Sequence, residues 1–283
     1  MICFVILHYK SIEETLECLN DLKETFDSKD YKTIIVDNNS LKDEELKKIS
    51  NYTDDIIKLD KNYGFAKANN KGCIYAKEKY NPDFIAIINN DVFITQKDFI
   101  NIINNDYKKY NFDLLGPYIE SPSKESFNPF PVYDTEEKIN KEIVKTNKLI
   151  KIYNSSILYF LLQIYLKIKH PFKIKKDCNG KKLEKNVALH GCCIMVSKKY
   201  YEKYNDIFYN ETFLFHEEEF LYQRIINDKL ISIYDPNLKC YHKEGSSTKK
   251  DKKNKRNSKL FREKERMNSL KLLKNYFSKG GNE

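Results

Sequence analysis

Short apolar runs alternate with helical patterns through the first 116 residues, and this alternation limits the fold more than any other feature of the chain. The runs are typical of strands that are buried on both faces, as in parallel sheets. Strand and helix in turn favour right-handed crossovers. The sequence therefore predicts an α/β fold, with helices on both faces of a mostly parallel sheet. The predicted strands are 2–7, 33–36, 56–59, 84–88 and 114–115, and the predicted helices are 12–26, 41–50, 65–80 and 97–110.

The strand predicted at 84–88 ends in a polar cluster, Asn89-Asn90-Asp91. Open α/β sheets bind their ligands at the carboxyl ends of the strands. A hard divalent cation needs carboxylate oxygen, and it keeps water and substrate phosphates as its other ligands. Asp91 is therefore a candidate metal ligand, and a capping Asn-Asp turn is the alternative interpretation.

Asp37 ends the second predicted strand and precedes Asn38-Asn39-Ser40. At the mouth of the sheet, its carboxylate can accept hydrogen bonds from a base or a ribose. A helix N-cap or a turn is the alternative interpretation.

Gly64 begins the third predicted helix and follows Asn62 and Tyr63. A glycine at this position permits close approach of the backbone, and the exposed N–H groups of a helix start suit a diphosphate. Two polar side chains, Asn69 and Asn70, follow further along the helix. A plain helix start is the alternative interpretation.

Three consecutive acids, Glu217, Glu218 and Glu219, follow an aromatic segment at 213–216. The helix dipole favours acids in a first turn, which is a purely structural explanation. The acids can also supply a general base, and crowding raises the pKa of one of them. His242 comes after a strand-like segment and is equally consistent with a structural role and with a metal or phosphate contact. The sequence thus offers a carboxylate at a strand end, a distant acidic cluster and a distant histidine. This combination indicates metal-assisted transfer on a phosphate-bearing substrate.

Residues 117–182 interrupt the alternation with five prolines and an irregular first part. Residues 149–168 within them are apolar and flanked by lysines, so they are predicted to form a helix. This helix either packs on the domain or lies in a membrane interface. Further along, the sequence predicts strands at 187–189, 194–196 and 230–234, and helices at 198–204 and from the acidic cluster to about 226.

The tail from Lys249 to Arg266 carries ten Lys and Arg against three acids, which is +7 of the chain's net charge of +9. Such a run is usually solvated or disordered, and attraction to anionic lipid head groups is the next interpretation. Nucleic-acid binding is disfavoured, because the tail lacks interleaved aromatic residues. The seven cysteines form no CxxC pair, and no apolar stretch reaches the length of a membrane span. These features favour a reduced, cytoplasmic chain, with a peripheral position on the inner face of the plasma membrane as an extension.

In their order, these segments resemble the family 2 glycosyltransferases of the GT-A fold, which have a mostly parallel, Rossmann-like sheet. The similarity is to bacterial surface-polysaccharide enzymes, including rhamnosyl- and galactofuranosyltransferase-like members. It covers about 1–116 and 187–248. The matching segments are Val5–Lys10, Ile35–Ser40, Asn62–Ala66, Asn89–Val92, His190–Met195, Phe213–Glu218 and His242–Ser247.

The resemblance implies roles for particular residues. Asp91 matches the last residue of a metal-binding DxD motif, and His242 matches a histidine that helps to hold the metal, Mg²⁺ or Mn²⁺, or the diphosphate. Glu218 matches the catalytic base, and Glu217 the acid before it. The implied nucleotide-sugar site comprises His8, Tyr9, Asp37, Asn39, Asn62, Gly64, Phe65, Asn69, Asn89 and Asn90.

Two residues depart from the family pattern. Asn89 stands where the motif often has its first aspartate, which indicates modest metal affinity, and the acidic pair is Glu-Glu where the family has Glu-Asp. The implied reaction is inverting transfer of a sugar from a nucleoside-diphosphate donor to a hydroxyl of a glycan acceptor, often a lipid-linked one. The alternatives are a nucleotidyltransferase and a non-catalytic, membrane-associated scaffold with a degenerate transferase domain.

The expected organisation has four parts. Residues 1–116 form the nucleotide-sugar-binding half, 117–186 an irregular and helical insertion, 187–248 the acceptor-binding and catalytic half, and 249–283 a basic helical tail.

Overall fold

The computed structural model describes residues 1–122, 126–133, 135–168, 182–243 and 255–278. The strands are β1 (Ile2–His8), β2 (Tyr31–Asp37), β3 (Asp55–Lys58), β4 (Phe84–Asn89), β5 (Val92–Phe93), β6 (Leu114–Glu120), β7 (Glu184–Lys185), β8 (Cys193–Ser197) and β9 (Ser232–His242). The helices are α1 (Ile12–Thr25), α2 (Asp43–Ile49), α3 (Gly64–Tyr80), α4 (Phe99–Tyr110), α5 (Glu136–Asn154), α6 (Ser156–Ile168), α7 (Lys198–Lys203), α8 (Glu217–Asn227) and α9 (Lys255–Ser278).

All the described strands belong to one sheet, in the order β3-β2-β1-β4-β8-β6-β9-β5, with β7 paired to β9. The first four strands are parallel to one another, as predicted. Beyond β4 the sheet is mixed, because β8 pairs antiparallel with both of its neighbours while β6 and β9 pair in parallel. The carboxyl ends of β2, β1 and β4 therefore share one edge, and that edge carries the polar segments singled out in the sequence.

The two faces of β1 bury their side chains in different hydrophobic clusters. Phe4 and Ile6 pack with residues of α1 and α4 on one face, while Cys3 and Val5 pack with residues of α3 on the other. All four side chains are fully buried. The prediction of an α/β sheet with helices on both faces is confirmed.

Two strand predictions near the second half were wrong. Residues 187–189 are not a strand, because their carbonyl groups bond outside a ladder: Val187 O accepts from the Ser232 hydroxyl at 2.7 Å and Ala188 O from Phe130 N–H at 2.8 Å. The predicted strand 230–234 does not end before Pro236 but continues to His242. It does so because its register against β6 shifts between Pro117 and Tyr118, and this irregularity accommodates the proline.

The single helix predicted at 149–168 is two helices. Ser155 has an extended backbone, with φ −96° and ψ 124°, and ends α5, so that α5 and α6 meet at an angle of 108°. Among the described helices, none alone has the length and apolarity to cross a membrane, whereas the bent α5–α6 pair meets those criteria together.

The part of the basic tail that the structure describes is a helix, α9, which packs along α5. Leu270 and Leu273 of α9 are fully buried against Ile139 of α5 and Phe220 of α8. The C-terminal helix therefore joins the insertion to the acidic helix. Residues 244–254 lie outside the described residues, and they include the 244–247 part of the last motif.

Candidate active site

Asp91 and His242 meet at one end of the sheet, because Val92 of β5 pairs with His242 of β9. His242 Nε2–H donates a hydrogen bond to Asp91 Oδ1 at 3.1 Å. Asp91 is buried, and its carbonyl oxygen accepts from Lys243 N–H at 3.0 Å. The structure thus brings together the two residues predicted as metal ligands.

The turn at His190–Cys192 connects this pair to the acidic helix. Cys192 N–H donates to His190 Nδ1 at 3.0 Å, so His190 carries its proton on Nε2 in the neutral form. Burial lowers the pKa of His190, which favours that form; the charge of Glu218 acts in the opposite direction and that of His242 in the same direction. The His190 and His242 rings lie 6.3 Å apart. The site analysis of the sequence did not single out His190, although it begins one of the segments that carry the family resemblance.

Glu218 lies on the other side of this turn. Its Oε1 accepts from Gly191 N–H at 3.0 Å, and the side chain is half-buried. A Cβ on Gly191 would lie 3.1 Å from Glu218 Oε1 and 3.3 Å from the Phe65 ring, so the glycine leaves room for this contact. Glu218 is therefore fixed at one oxygen, and its half-buried side chain lines a cavity.

The neighbouring acids are buried and differ from Glu218. Burial, followed by the charge of Glu218, raises the pKa of Glu217 to about 8, so this carboxyl is protonated at neutral pH. Glu219 accepts a hydrogen bond from His216 Nδ1 at 3.1 Å. Of the three acids, only Glu218 is exposed enough to reach a substrate hydroxyl, as a general base must.

The acidic helix begins after two residues with left-handed backbone conformations. Phe215 has φ 75° and His216 has φ 69°. Such conformations cost energy for residues other than glycine, and they concentrate at functional sites. Here they turn both side chains into the cavity that Glu218 faces.

That cavity has a volume of about 620 Å³ and is bounded by three parts of the fold. The sheet side contributes Phe65, Asn89 and the 190–192 turn, and α8 contributes its three acids. The opposite wall comes from α5 and α9 and includes Lys145, Arg262 and Arg266. Glu142 of α5 also lines this wall beside Lys145, so acids occur on both sides of the cavity and the two arginines on one.

The predicted nucleotide residue Asp37 is fully buried at the end of β2. Its Oδ1 accepts from Ser40 N–H at 2.9 Å and from Leu41 N–H at 3.1 Å, which is the turn that the sequence left as the alternative. Its Oδ2 is buried and has no hydrogen-bond partner among the described residues. One carboxylate oxygen thus holds the turn, and the other is a buried acceptor without a partner among the described residues.

The expectation that the first N–H groups of α3 are exposed to a diphosphate is wrong for two of them. Gly64 N–H donates to Asn62 Oδ1 at 2.9 Å, and Phe65 N–H donates to Phe213 O at 2.8 Å. Gly64 has φ +78°, and a Cβ there would lie 2.2 Å from Phe213 O. The close approach that this glycine permits is therefore to the protein's own 213–216 segment.

Several predicted nucleotide residues are engaged in the framework. His8 is buried and donates from Nδ1 to the Thr15 hydroxyl at 2.7 Å, because that hydroxyl donates to Ser11 O. Asn90 Nδ2 donates to the same Thr15 oxygen at 2.9 Å. Asn69 is buried and donates to Phe65 O at 3.0 Å within α3. These side chains hold the β1–α1 and α3 segments in place.

The remaining predicted residues lie nearer the surface. Tyr9 and Asn89 are half-buried, and Asn39 is exposed with φ 59°. Asn62 Oδ1 also accepts from Asn38 Nδ2 at 2.8 Å, and Asn38 Oδ1 accepts from Tyr63 N–H at 2.8 Å. Asn38, which the sequence analysis did not select, therefore joins the β2 turn to the start of α3.

The donor atoms at Asp91 and His242 fit the protein's share of a divalent-cation site. One carboxylate and one imidazole face each other, and such cations usually complete their coordination with phosphates and water. Within the described ranges, no cluster of three or more His, Cys, Asp or Glu side chains has the geometry to hold a metal by itself. A cation here would therefore depend on the substrate for most of its ligands.

The family model described as glycosyl transferase family 2 matches residues 3–205 of the chain. The chain belongs to glycosyl transferase family 2. The matched range includes Asp37, Gly64 and Asp91, and it ends before Glu218 and His242. No curated protein matches the sequence at a significant level.

Solved glycosyltransferase structures share the fold of this family 2 chain. TarS 1–349 of S. aureus aligns with TM-score 0.53 and 14% identity, over 86% of this chain and 60% of that one. A Pyrobaculum calidifontis mannosyltransferase, PcManGT, in complex with GDP-Man and Mn²⁺, gives TM-score 0.53 and 10% identity, over 88% and 58%. GalNAc-T7 with UDP, GalNAc and Mn²⁺ gives 0.56 and 9%, over 86% and 43%. At these identities the likeness establishes the GT-A fold, and the chain spans about three fifths of the TarS 1–349 chain.

Proposed function

We propose that this glycosyltransferase moves a sugar from a nucleoside-diphosphate donor to a hydroxyl group of a glycan acceptor, with inversion at the anomeric carbon. The observation that carries the proposal is Glu218: a half-buried carboxylate, fixed by Gly191 N–H at 3.0 Å, that faces a cavity of about 620 Å³. Family membership supports nucleotide-sugar chemistry at this site.

In the proposed step, Glu218 accepts the proton of the acceptor hydroxyl as the oxygen attacks the anomeric carbon. The new bond to that carbon forms while the bond to the donor diphosphate breaks, and the electron pair leaves with the nucleoside diphosphate. Asp91 and His242 would hold a divalent cation, Mg²⁺ or Mn²⁺, which offsets negative charge on a departing diphosphate. Mn²⁺ in the PcManGT and GalNAc-T7 complexes supports this choice of metal.

The test is Glu218→Gln, assayed for transfer and for hydrolysis of UDP-, GDP- and dTDP-sugars. The amide keeps the shape of the side chain but cannot take a proton, so we expect at least a ~100-fold loss of turnover with nucleotide binding retained. Glu211→Gln is the matched control, because Glu211 is an exposed acid in the preceding loop. Unchanged turnover in Glu218→Gln would remove the base from the proposal, and absence of any nucleotide binding would remove the function.

We further propose that the acceptor is lipid-linked, in surface-polysaccharide synthesis, and that α6 rests on the inner leaflet of the membrane. Helix α6 exposes seven large apolar side chains, with Ile157 73% and Phe160 63% exposed. Basic residues flank it: Arg256 of α9 hydrogen-bonds Ser156, and Lys259 lies 5.8 Å from the Tyr153 ring. An exposed apolar face beside cations is typical of an interfacial helix on anionic lipid.

Flotation with vesicles of neutral lipid, with and without phosphatidylglycerol, tests this placement. We expect binding to require the anionic lipid and to fall several-fold in Phe160→Ser/Leu161→Ser. Val144→Ser is the control, since Val144 is an exposed apolar residue on α5. Equal flotation of all three proteins would contradict an interfacial role for α6.

The identity of the donor sugar is the most specific part of the proposal. The rhamnosyl- or galactofuranosyl-like subtype stays a prediction from the sequence resemblance. A thermal-shift screen of nucleotide sugars with Mn²⁺ tests it, because a ligand that binds only the folded protein raises its melting temperature.

A further inference from the structure

Two arginines of the C-terminal helix enter the cavity that holds Glu218. Arg262 and Arg266, one turn apart on α9, both line it, together with Lys145 of α5. Their guanidinium groups lie 5.6 Å and 4.8 Å from the centre of the Phe215 ring. Phe215 belongs to the strained segment just before Glu218, so the same segment contacts both arginines and leads into the helix that carries the acid.

Acids also line this cavity, Glu142 of α5 and Glu217, Glu218 and Glu219 of α8, and two of the three cations of the wall pair with acids of their own helices. Lys145 pairs with Glu142 at 3.1 Å, and Arg266 pairs with Glu263 at 3.2 Å. Arg262, which is exposed at the rim, forms no ion pair with any residue that the structure describes. Its pKa is lowered, first by partial removal from solvent and then by the charge of Arg266. Like charges one turn apart oppose each other, and an anion between them would relieve the repulsion.

The arginines share their cavity with Glu218, which the proposed function places at the acceptor hydroxyl. Among the described residues of the N-terminal half, residues 1–116, only Phe65 and Asn89 line this cavity, and both were predicted for the nucleotide sugar. His8, Asp37 and Asp91, predicted for the donor and its metal, do not line it. A series of contacts leads from Glu218 through the His190–Cys192 turn and His242 to Asp91. Because the proposed function places the acceptor hydroxyl at Glu218, a group bound by the arginines is assigned to the acceptor.

We propose that Arg262 and Arg266 form an anion subsite for the acceptor, so that the acceptor carries a phosphate or carboxylate group near its reacting hydroxyl. Guanidinium groups bind both anions through paired hydrogen bonds, and their geometry suits a planar or tetrahedral oxyanion. This inference rests on the proposed function for its assignment to the acceptor, whereas the anion site itself can be measured without turnover.

The test titrates glycerol phosphate and glucuronate, with glycerol and glucose as their uncharged counterparts, into the full chain by calorimetry. Titrations are run with and without saturating nucleoside diphosphate and Mg²⁺, so that the donor site is filled in one arm. We expect at least one of the two anions to bind in both arms, and Arg262→Gln/Arg266→Gln to weaken that binding at least tenfold. Lys264→Gln/Lys271→Gln is the matched control, because it removes the same charge from exposed positions of the same helix.

The outcomes are distinguishable. Equal weakening in both double variants means a general charge effect and overturns the subsite, as does anion binding that survives the arginine variant or is absent from the wild type. Loss of nucleotide binding in the arginine variant, with its melting temperature unchanged, assigns the arginines to the donor diphosphate and also overturns the inference. If no nucleoside diphosphate binds the wild type, the proposed function fails, while arginine-dependent anion binding still establishes the site.

Discussion

Asp91 Oδ1 and His242 Nε2 lie 3.1 Å apart although 151 residues separate them in the sequence. The contact exists because β5, which is two residues long, pairs with the end of β9. Asp91 directly precedes β5, so this pairing places it beside His242. Carboxylate oxygen and imidazole nitrogen are both atoms that bind divalent cations, and here they form a hydrogen bond with each other.

Replacing Asp91 should separate metal-dependent binding from nucleotide recognition. In Asp91→Ala we expect the enhancement of nucleotide affinity by Mn²⁺ to fall at least ~10-fold, because the only carboxylate of the pair is lost. Calorimetric titrations with and without Mn²⁺ measure this, and Asp98→Ala, an exposed acid on the same connection, serves as control. An enhancement of wild-type size in Asp91→Ala would place the cation elsewhere.

Glu217 should make stability depend on pH. Its pKa is about 8 in the folded protein, above that of an unfolded glutamate, so the unfolded state releases this proton first as pH rises. The stability of the wild type should therefore fall between about pH 4.5 and pH 8, relative to Glu217→Gln, which does not titrate. We expect a difference on the order of 1 kcal/mol or more to develop across that window. Denaturant unfolding from pH 5 to 9 measures it, and curves that stay parallel would contradict the burial of a protonated acid.

Gly64→Ala should damage the fold more than the chemistry. Its left-handed backbone and the 2.2 Å approach to Phe213 O leave no room for a Cβ, so α3 must move away from the 213–216 segment. We expect a loss of about 2–4 kcal/mol in the free energy of unfolding. Chemical denaturation measures this free energy. A loss smaller than the error of the method would show that the 213–216 segment can move to accommodate the Cβ.

Gly191→Ala should have the opposite profile. Its new Cβ would meet Glu218 Oε1 at 3.1 Å and the Phe65 ring at 3.3 Å, which small shifts can relieve at the expense of the acid's position. We expect a melting temperature within a few degrees of the wild type and a ~10-fold lower turnover. A variant with wild-type turnover would show that the placement of Glu218 tolerates this shift.

The sheet could be predicted because its strands are buried on both faces. Phe4, Val5 and Ile6 need apolar surroundings whichever way they point, so a continuous apolar run specifies a central strand without further information. The break at Ser155 could not be predicted in this way. Apolar side chains continue across it, and the angle follows from how α5 packs against α9, more than 100 residues later in the chain.

The candidate site was predictable where a side chain ends a strand and less so where long-range packing decides. Asp91 and His242 follow strands, and the sequence marks both. Gly64 also stood out, but the group packed against it is the Phe213 carbonyl and not a ligand, and no local pattern records this long-range contact. Arg262 and Arg266 lie in a tail that the sequence indicated as solvated. Their position in the cavity could not be predicted, because it depends on the packing of Leu270 and Leu273 against distant helices.

Asn38 uses both polar atoms of its side chain within the chain, whereas Asp37 leaves one buried carboxylate oxygen without a partner among the described residues. Hydrogen bonds of Asn38 connect the β2 turn to the start of α3 without a nucleotide, and Asp37 Oδ1 bonds within the turn. Asp37 Oδ2 takes no part in these hydrogen bonds. Truncating either side chain would break hydrogen bonds that hold the β2 turn. A loss of nucleotide affinity in such a variant would therefore not show that the side chain binds the nucleotide. Isosteric changes that alter a single oxygen, such as Asp37→Asn, are the ones whose effect on affinity can be interpreted.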